Sequence, residues 1–477
     1  AGTVYLKRTG EEGQIIIDNR GTNSTNGTRL PAPSSGTITS ISANMIEDSN
    51  VNFVPRSIVG LELIPNVNRE ESFTIISNTK TQIFTDPSDG DMREVASVGD
   101  KYDFKYSGNI SFQNCQSLLE GIVHLPNLNL YNSTLTLNGT LYTENLTLEN
   151  GSIITHSTST TSKTYSLTLN IEKKLTIDST SKIDVSGKGY LGAGKSGNDT
   201  YYGRTYGNTI SGGSYNGNGG SYGGYGGRYY SASQVNEIYG SIYKPMDLGS
   251  GGGGWGGFSG GSGGGAIELK VKELIVDGSI LANGENGNGG GSGGSILINT
   301  GILKGSGVIE ANGGNGNSGG GGGRVAIYYE DLEGFDLNKV RAYGGVGGGG
   351  SDPAKNGGAG TVYLKKNNEE GILIIDNRAS EASNPMVHPY IKPSQITSLS
   401  SNVLEDSSAS FMPKALIGMK IIPNIKMKDK RFTIIDNDKT RIITDPSDGD
   451  MTEVASVGDT YAGVFVFPEH MEIRNTK

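Results

Sequence analysis

The chain has 477 residues, 76 of them glycine and 15 proline, with 34% hydrophobic residues and a formal net charge of −9. Glycine stands at about twice its ordinary share but without a G-X-Y period, which excludes collagen, and the lack of a basic cluster argues against nucleic acid as a partner. No apolar run reaches the roughly 18 residues that a membrane-spanning helix needs, and the single cysteine, Cys115, has no internal disulfide partner and reads as a small buried apolar residue.

Residues 1–37 begin with strand-like alternation. The stretch TVYLKRTGEEGQIIIDNR (3–20) returns as TVYLKKNNEEGILIIDNR (361–378), identical at 13 of 18 positions. The chain starts at Ala1 without a signal peptide, so a processed product or a fragment is expected. N-x-[ST] sequons occur at Asn23, Asn26, Asn109, Asn132, Asn138, Asn145, Asn150 and Asn198. They permit surface glycosylation without establishing it.

Residues 38–105 alternate in short runs, IVGLELI and SFTIISN, between polar turns. They predict a small β-sandwich or barrel. TDPSDGDMREVASVGDKY (85–102) returns at 444–461, identical at 16 of 18 positions. The two offsets, 358 and 359, define a long unit of which the chain holds a little more than one copy. DPSDGD places Asp86, Asp89 and Asp91 close together, and Asp445, Asp448 and Asp450 again. Such oxygens make Ca2+ a candidate. The run lacks EF-hand spacing. Asp91 and Asp450 also read as N-caps, with Glu94 and Glu453 completing a capping box and Gly99 and Gly458 at the stop.

Residues 106–378 carry a shorter repeat. In 117–155, Leu128, Leu130, Leu135, Leu137, Leu146 and Leu148 alternate with polar residues, and 165–189 continues the order. AIELKVKELIVDGSILANG (266–284) then matches SILINTGILKGSGVIEANG (295–313) at an offset of 29. Residues 324–345 and 361–365 fit as further copies. Each copy predicts about three short strands, a turn at Gly278 or Gly307 and a glycine-rich corner. Strands of this kind bury their apolar side by stacking on the next copy, as in a β-solenoid. Asn283 and Asn312 are placed for a side-chain ladder.

Within this region the pattern stops at 190–265. Eleven of the 23 tyrosines fall between 190 and 243. Tyr201, Tyr202, Tyr206, Tyr215, Tyr222, Tyr225, Tyr229, Tyr230, Trp255 and Phe258 form a candidate contact surface for another subunit or for sugar rings. The alternative is an ordered loop whose tyrosines cover the solenoid side. Residues 379–465 repeat the small module, and 466–477 begin a following coil.

The strings GGGSGGSILI, GSGVIEANGG, GGGGGRVAIYY and GGAGTVYLK, followed by LIIDNR, resemble glycine-rich, repetitive, adhesin-like surface proteins of bacteria and archaea. The resemblance implies an all-β chain: a right-handed parallel β-helix with a small module near both ends. It brings no established catalytic residues. Asp178 and Asp184 read as solvated strand ends, and the four histidines are scattered, so no zinc cluster or histidine-centred triad is expected. The expectation is a non-enzymatic, extracellular structural protein at the cell surface, with no cofactor unless Ca2+. It would be a repeat unit of a fibre, sheath or giant adhesin, joined end to end through open solenoid ends. Its partners would be copies of itself or neighbouring tandem repeats. The alternatives are a carbohydrate-binding adhesin that holds surface glycans with the Tyr/Trp segment, and a polysaccharide lyase or glycosidase.

Overall fold

Alternation of aliphatic and polar residues becomes parallel strands in the computed structural model, which describes residues 2–6, 13–21, 28–29, 35–69, 71–106, 108–229, 234–348, 352–378, 382, 391–464 and 470–474. The chain is mostly β, with a large mixed sheet of many parallel strands and a separate antiparallel sheet. Gln116–Tyr131 pairs in parallel with Thr134–Glu149. Leu167–Ile177, Ala266–Val276, Ser295–Lys304, Arg324–Glu333 and Thr361–Lys366 follow, each parallel to the one before. Ile267 lies beside Ile296, Leu269 beside Ile298 and Leu274 beside Leu303, the register that the short repeat predicts. A second ladder runs through Lys182–Asp184, Ser279–Leu281, Val308–Glu310 and Val340–Arg341.

Leu269, Ile298, Ile309 and Ile327 are fully buried in the resulting column. Burying such a side chain stabilises the fold by about 1.5–3 kcal/mol. A slip of one residue would turn the whole apolar set outward, so the pattern also fixes register.

Three details differ from the expectation. Two expected short strands merge into the 11-residue strand Ala266–Val276, in which two consecutive outward residues, Lys272 and Glu273, separate the inward Leu269 and Val271 from Leu274 and Val276. The stacked asparagines bond side chain to backbone rather than side chain to side chain. Asn283 Oδ1 accepts from the Asn312 backbone N–H at 2.6 Å, and Asn312 Oδ1 from that of Tyr343 at 2.8 Å. Each carbonyl thus satisfies a donor of the next layer. A side-chain amide ladder occurs elsewhere, Asn145 to Asn127 at 2.7 Å and Asn127 to Asn109 at 2.6 Å.

The third difference lies in the glycine tracts, which form a buried layer rather than corners alone. Backbone N–H groups of Gly284, Gly287, Gly290 and Gly293 donate to carbonyls of Asn312, Asn315, Ser318 and Gly321. Gly261 and Gly264 donate to Gly289 and Ser292, while Gly260 and Gly263 donate to Ala193 and Tyr190. Every third donor faces the same neighbour, which is the period of the polyproline II backbone. The segments touch backbone to backbone. A Cβ on Gly290 would lie 2.0 Å from the Gly314 carbonyl oxygen, and one on Gly320 would lie 2.0 Å from that of Gly291. Only glycine fits such contacts.

Both small modules have the same antiparallel strand pattern. Met45–Glu47, Glu62–Ile64, Phe73–Asn78 and Gln82–Thr85 correspond to Val403–Glu405, Lys420–Ile422, Phe432–Asn437 and Arg441–Thr444. A buried tyrosine–aspartate pair recurs, Tyr102 to Asp48 at 3.0 Å and Tyr461 to Asp406 at 2.7 Å. The first module joins the large sheet through Lys101–Lys105, whereas the second forms the separate sheet around its own core. The expected helical turns are 3-10 turns, Met92–Glu94 and Met451–Glu453.

Candidate functional site

The repeated segments offer an internal comparison of surfaces. The hairpin Gly2–Leu6 with Gln14–Asp18 recurs as Thr361–Lys366 with Ile372–Asp376. In each, a tyrosine crosses a glycine, Tyr5 over Gly13 and Tyr363 over Gly371. Their surroundings differ. Val4, Tyr5 and Leu6 are 53%, 54% and 54% exposed, whereas Val362, Tyr363 and Leu364 are 4%, 6% and 3% exposed. The strand Arg324–Glu333 covers the second set by pairing in parallel with Thr361–Lys366.

The module shows the same contrast. VPRSIVG (54–60) aligns with MPKALIG (412–418), and both loops place their glycine at φ +88°. In the second copy the Tyr-rich insertion sits on this loop. Ser241 Oγ donates to the Ile417 carbonyl at 3.1 Å, and Lys414 Nζ lies 3.9 Å from Asp247 Oδ1. The Tyr243 ring lies so near Gly418 that a Cβ there would stand 2.8 Å from it. In the first copy, Val54 and Val59 are exposed and nothing lies within 4 Å of a Cβ built on Gly60.

Tyr243 joins three parts. It packs on the cores of the second module and of the second hairpin, stacks edgewise on Tyr363 at 4.9 Å, and its carbonyl accepts from Tyr328 Oη at 2.8 Å. Burial pushes its phenol up to about 12. Behind it Arg324 is buried, its Nε donating to the Tyr239 carbonyl at 3.1 Å and Nη1 to Thr361 at 3.2 Å. Burial lowers the Arg324 pKa and raises that of Asp247. None of Tyr243, Asp247 and Lys414 stands out in the sequence. Aligning VPRSIVG with MPKALIG, with a cation at the third place of each, is the available signal.

The other candidates are placed as follows. Tyr222 is fully buried and so faces inward, its hydroxyl 2.7 Å from Ser295 Oγ. Tyr202, Tyr206, Tyr215, Tyr225 and Tyr229 are half-buried. Trp255, Phe258 and Tyr201 are exposed, and Gly256 and Gly257 at positive φ turn the chain between the first two. Tyr230, Asn23 and Asn26 lie outside the described residues.

All six aspartates of the two DPSDGD runs hold backbone donors. Asp86 accepts from Ser88, Asp89 from Thr74 and Asp91 from Arg93. Asp445, Asp448 and Asp450 accept from Ser447, Thr433 and Thr452. The Arg93 side chain holds the Asp91 carboxyl down to about 2. Capping by Asp86, Asp91, Asp445 and Asp450 and cross-chain bonds to Thr74 and Thr433 thus account for these carboxylates, and among the described residues no three His, Cys, Asp or Glu groups are arranged to hold a metal. The capping-box geometry is shifted, since Asp91 bonds the second N–H of its turn.

Four sequon amides already donate: Asn132 to Asn114, Asn138 to Ser157, Asn145 to Asn127 and Asn198 to backbone carbonyls. A sugar on any of these nitrogens would replace one of its two hydrogens and leave the other for that bond. Asn109 accepts from Asn127, and Asn150 is exposed at φ +55°. Asp178 caps Asn150 and Thr180, while Asp184 pairs with Lys182 at 2.7 Å. Cys115 is buried beside Ser117 and Ser133. Comparison with protein families, curated proteins and solved structures finds no match for the chain.

Proposed function

We infer that the chain is a structural element of an extracellular fibre, sheath or giant adhesin at the cell surface. Its parallel layers form a right-handed β-helix that lengthens along one axis, one long unit at a time. The observation that carries the reading is the contrast between copies: the hairpin face is buried in the second copy and exposed in the first, and the module loop touched by the Ser241–Asp247 segment in the second copy lacks that contact in the first. In an array, each unit's Arg324–Glu333 strand and Ser241–Asp247 segment cover the hairpin and module of the next. No catalytic machinery is needed for that role.

Nine strand steps separate Gln14–Asp18 from its counterpart Ile372–Asp376. At about 4.8 Å per step, each unit adds about 43 Å. The test is electron microscopy of the chain and of a version lengthened by one long unit before residue 1. Rigid rods that differ by that increment support the reading. Hinged beads, or a unit that folds back on its neighbour, overturn it.

A second reading, contact through aromatic side chains, has its own support in the exposed Trp255 and Phe258. A glycan array with wild type and Trp255→Ala/Phe258→Ala tests it, and unchanged binding or none removes it.

A further inference from the structure

A groove of about 1060 Å³ crosses the outer face of the parallel sheet, with Ile64 and Arg69 of the first module at one end and Asn367 at the other. Its lining contains an outward in-register row, one residue from each successive strand, beside a more buried row that runs from Leu125 to Tyr329. Lys105, His124 and Tyr142 open the row. Asn170, Lys270 and Asn299 continue it. Tyr328 and Lys365 close it. Seven steps at about 4.8 Å make the row about 34 Å long.

The row contains no carboxylate in a chain with 49 acidic residues against 40 basic ones. Lys105, Lys270 and Lys365 make no ion pair with a described residue. The carboxylates stand on the neighbouring lip, where Glu144 is held by Lys173 at 2.6 Å while Glu172 and Glu330 are free to accept from hydroxyls. His124 and Tyr142 stack at 4.6 Å with rings 7° apart, and the nearly buried Asp103 holds His124 Nε2 at 3.3 Å. An aromatic platform, amides and lysines therefore recur at layer spacing.

We propose that this groove binds an extended anionic polysaccharide, about one sugar per layer, with acid groups on Lys105, Lys270 and Lys365. The layer spacing is close to the length of one pyranose residue. The sheet's backbone groups are used in its ladders, so recognition falls to side chains, and these suit hydroxyls, ring faces and scattered acid groups. The groove's five cations, Lys272 and Arg69 among them, are offset by Glu144, Glu172 and Glu330, which leaves too little net positive charge for a phosphate at every nucleotide. The site is separate from the exposed Trp255 and Phe258, and does not depend on array formation.

The test is calorimetric titration of the full chain with polygalacturonate, heparin, neutral dextran and single-stranded DNA. Binding of polygalacturonate, heparin or both is expected, weakening with salt, and the preferred polymer tells carboxylate from sulfate. Lys270→Ala should weaken it about tenfold, Tyr142→Ala about fivefold, and Lys270→Arg should preserve it. Trp255→Ala should change nothing. Lys270 and Tyr142 are exposed, and an unchanged far-ultraviolet spectrum controls for folding. The proposal falls if neither acidic polymer binds, if dextran or DNA binds as well, or if Lys270→Ala and Tyr142→Ala both bind like wild type.

Discussion

The first and second hairpins are identical at 13 of 18 positions, yet one shows its Val-Tyr-Leu face to solvent and the other buries it. Sequence sets the fold inside each copy, since both pair antiparallel and both lay tyrosine across glycine. Neighbours set the burial. An apolar face exposed in one copy and covered in its near-duplicate is the face that the proposed array would bury.

Substitutions sharpen that contrast. Tyr363→Ala should cost about 3–5 kcal/mol of local stability, and Tyr5→Ala under about 1 kcal/mol. Native-state hydrogen exchange across each hairpin measures both, and equal costs would break the comparison. Tyr243→Ala should cost about 2–3 kcal/mol. It should also speed exchange at Ile417 and Gly418 towards the rates of Val59 and Gly60. Alanine at Gly60 or Gly418 meets the same positive φ, about 1–2 kcal/mol. Gly418→Ala should cost more, because of Tyr243, by about 1 kcal/mol.

The smallest effect is a pH dependence in the second module. Burial alone would raise the Asp406 pKa, but hydrogen bonds from Ser408, Ser394 and Tyr461 outweigh it and hold it at about 2. A depressed pKa stabilises the fold above the unfolded value of about 3.9. That contribution should fade as pH falls from about 4 towards 2. Asp406→Asn should flatten this part of the stability profile, and an unchanged profile would remove Asp406 as its source.

Much of the parallel sheet was legible because stacked layers repeat their inward residues. Ile267 and Ile296 announce their pairing by recurring at the period of the short repeat. The glycine layer was not legible, since glycine carries no side chain whose alternation marks a face. Its period of three lies in backbone donors such as Gly284, Gly287 and Gly290. The capping role of Asp91 and Asp450 could be read locally. The contact at Tyr243 could not, because its partners, Gly418 and Tyr363, stand far along the chain. The lysine–aromatic groove escaped for a related reason, as each strand contributes one outward residue to its central row.

Cysteine labelling tests the central claim most directly, since the native Cys115 is buried and gives little background. Val4→Cys should react with a soluble maleimide about a hundredfold faster than Val362→Cys in the present chain. With one long unit added before residue 1, the Val4→Cys site should become as protected as Val362→Cys. Equal rates in the shorter chain, or an unprotected Val4→Cys site in the longer one, would contradict the account.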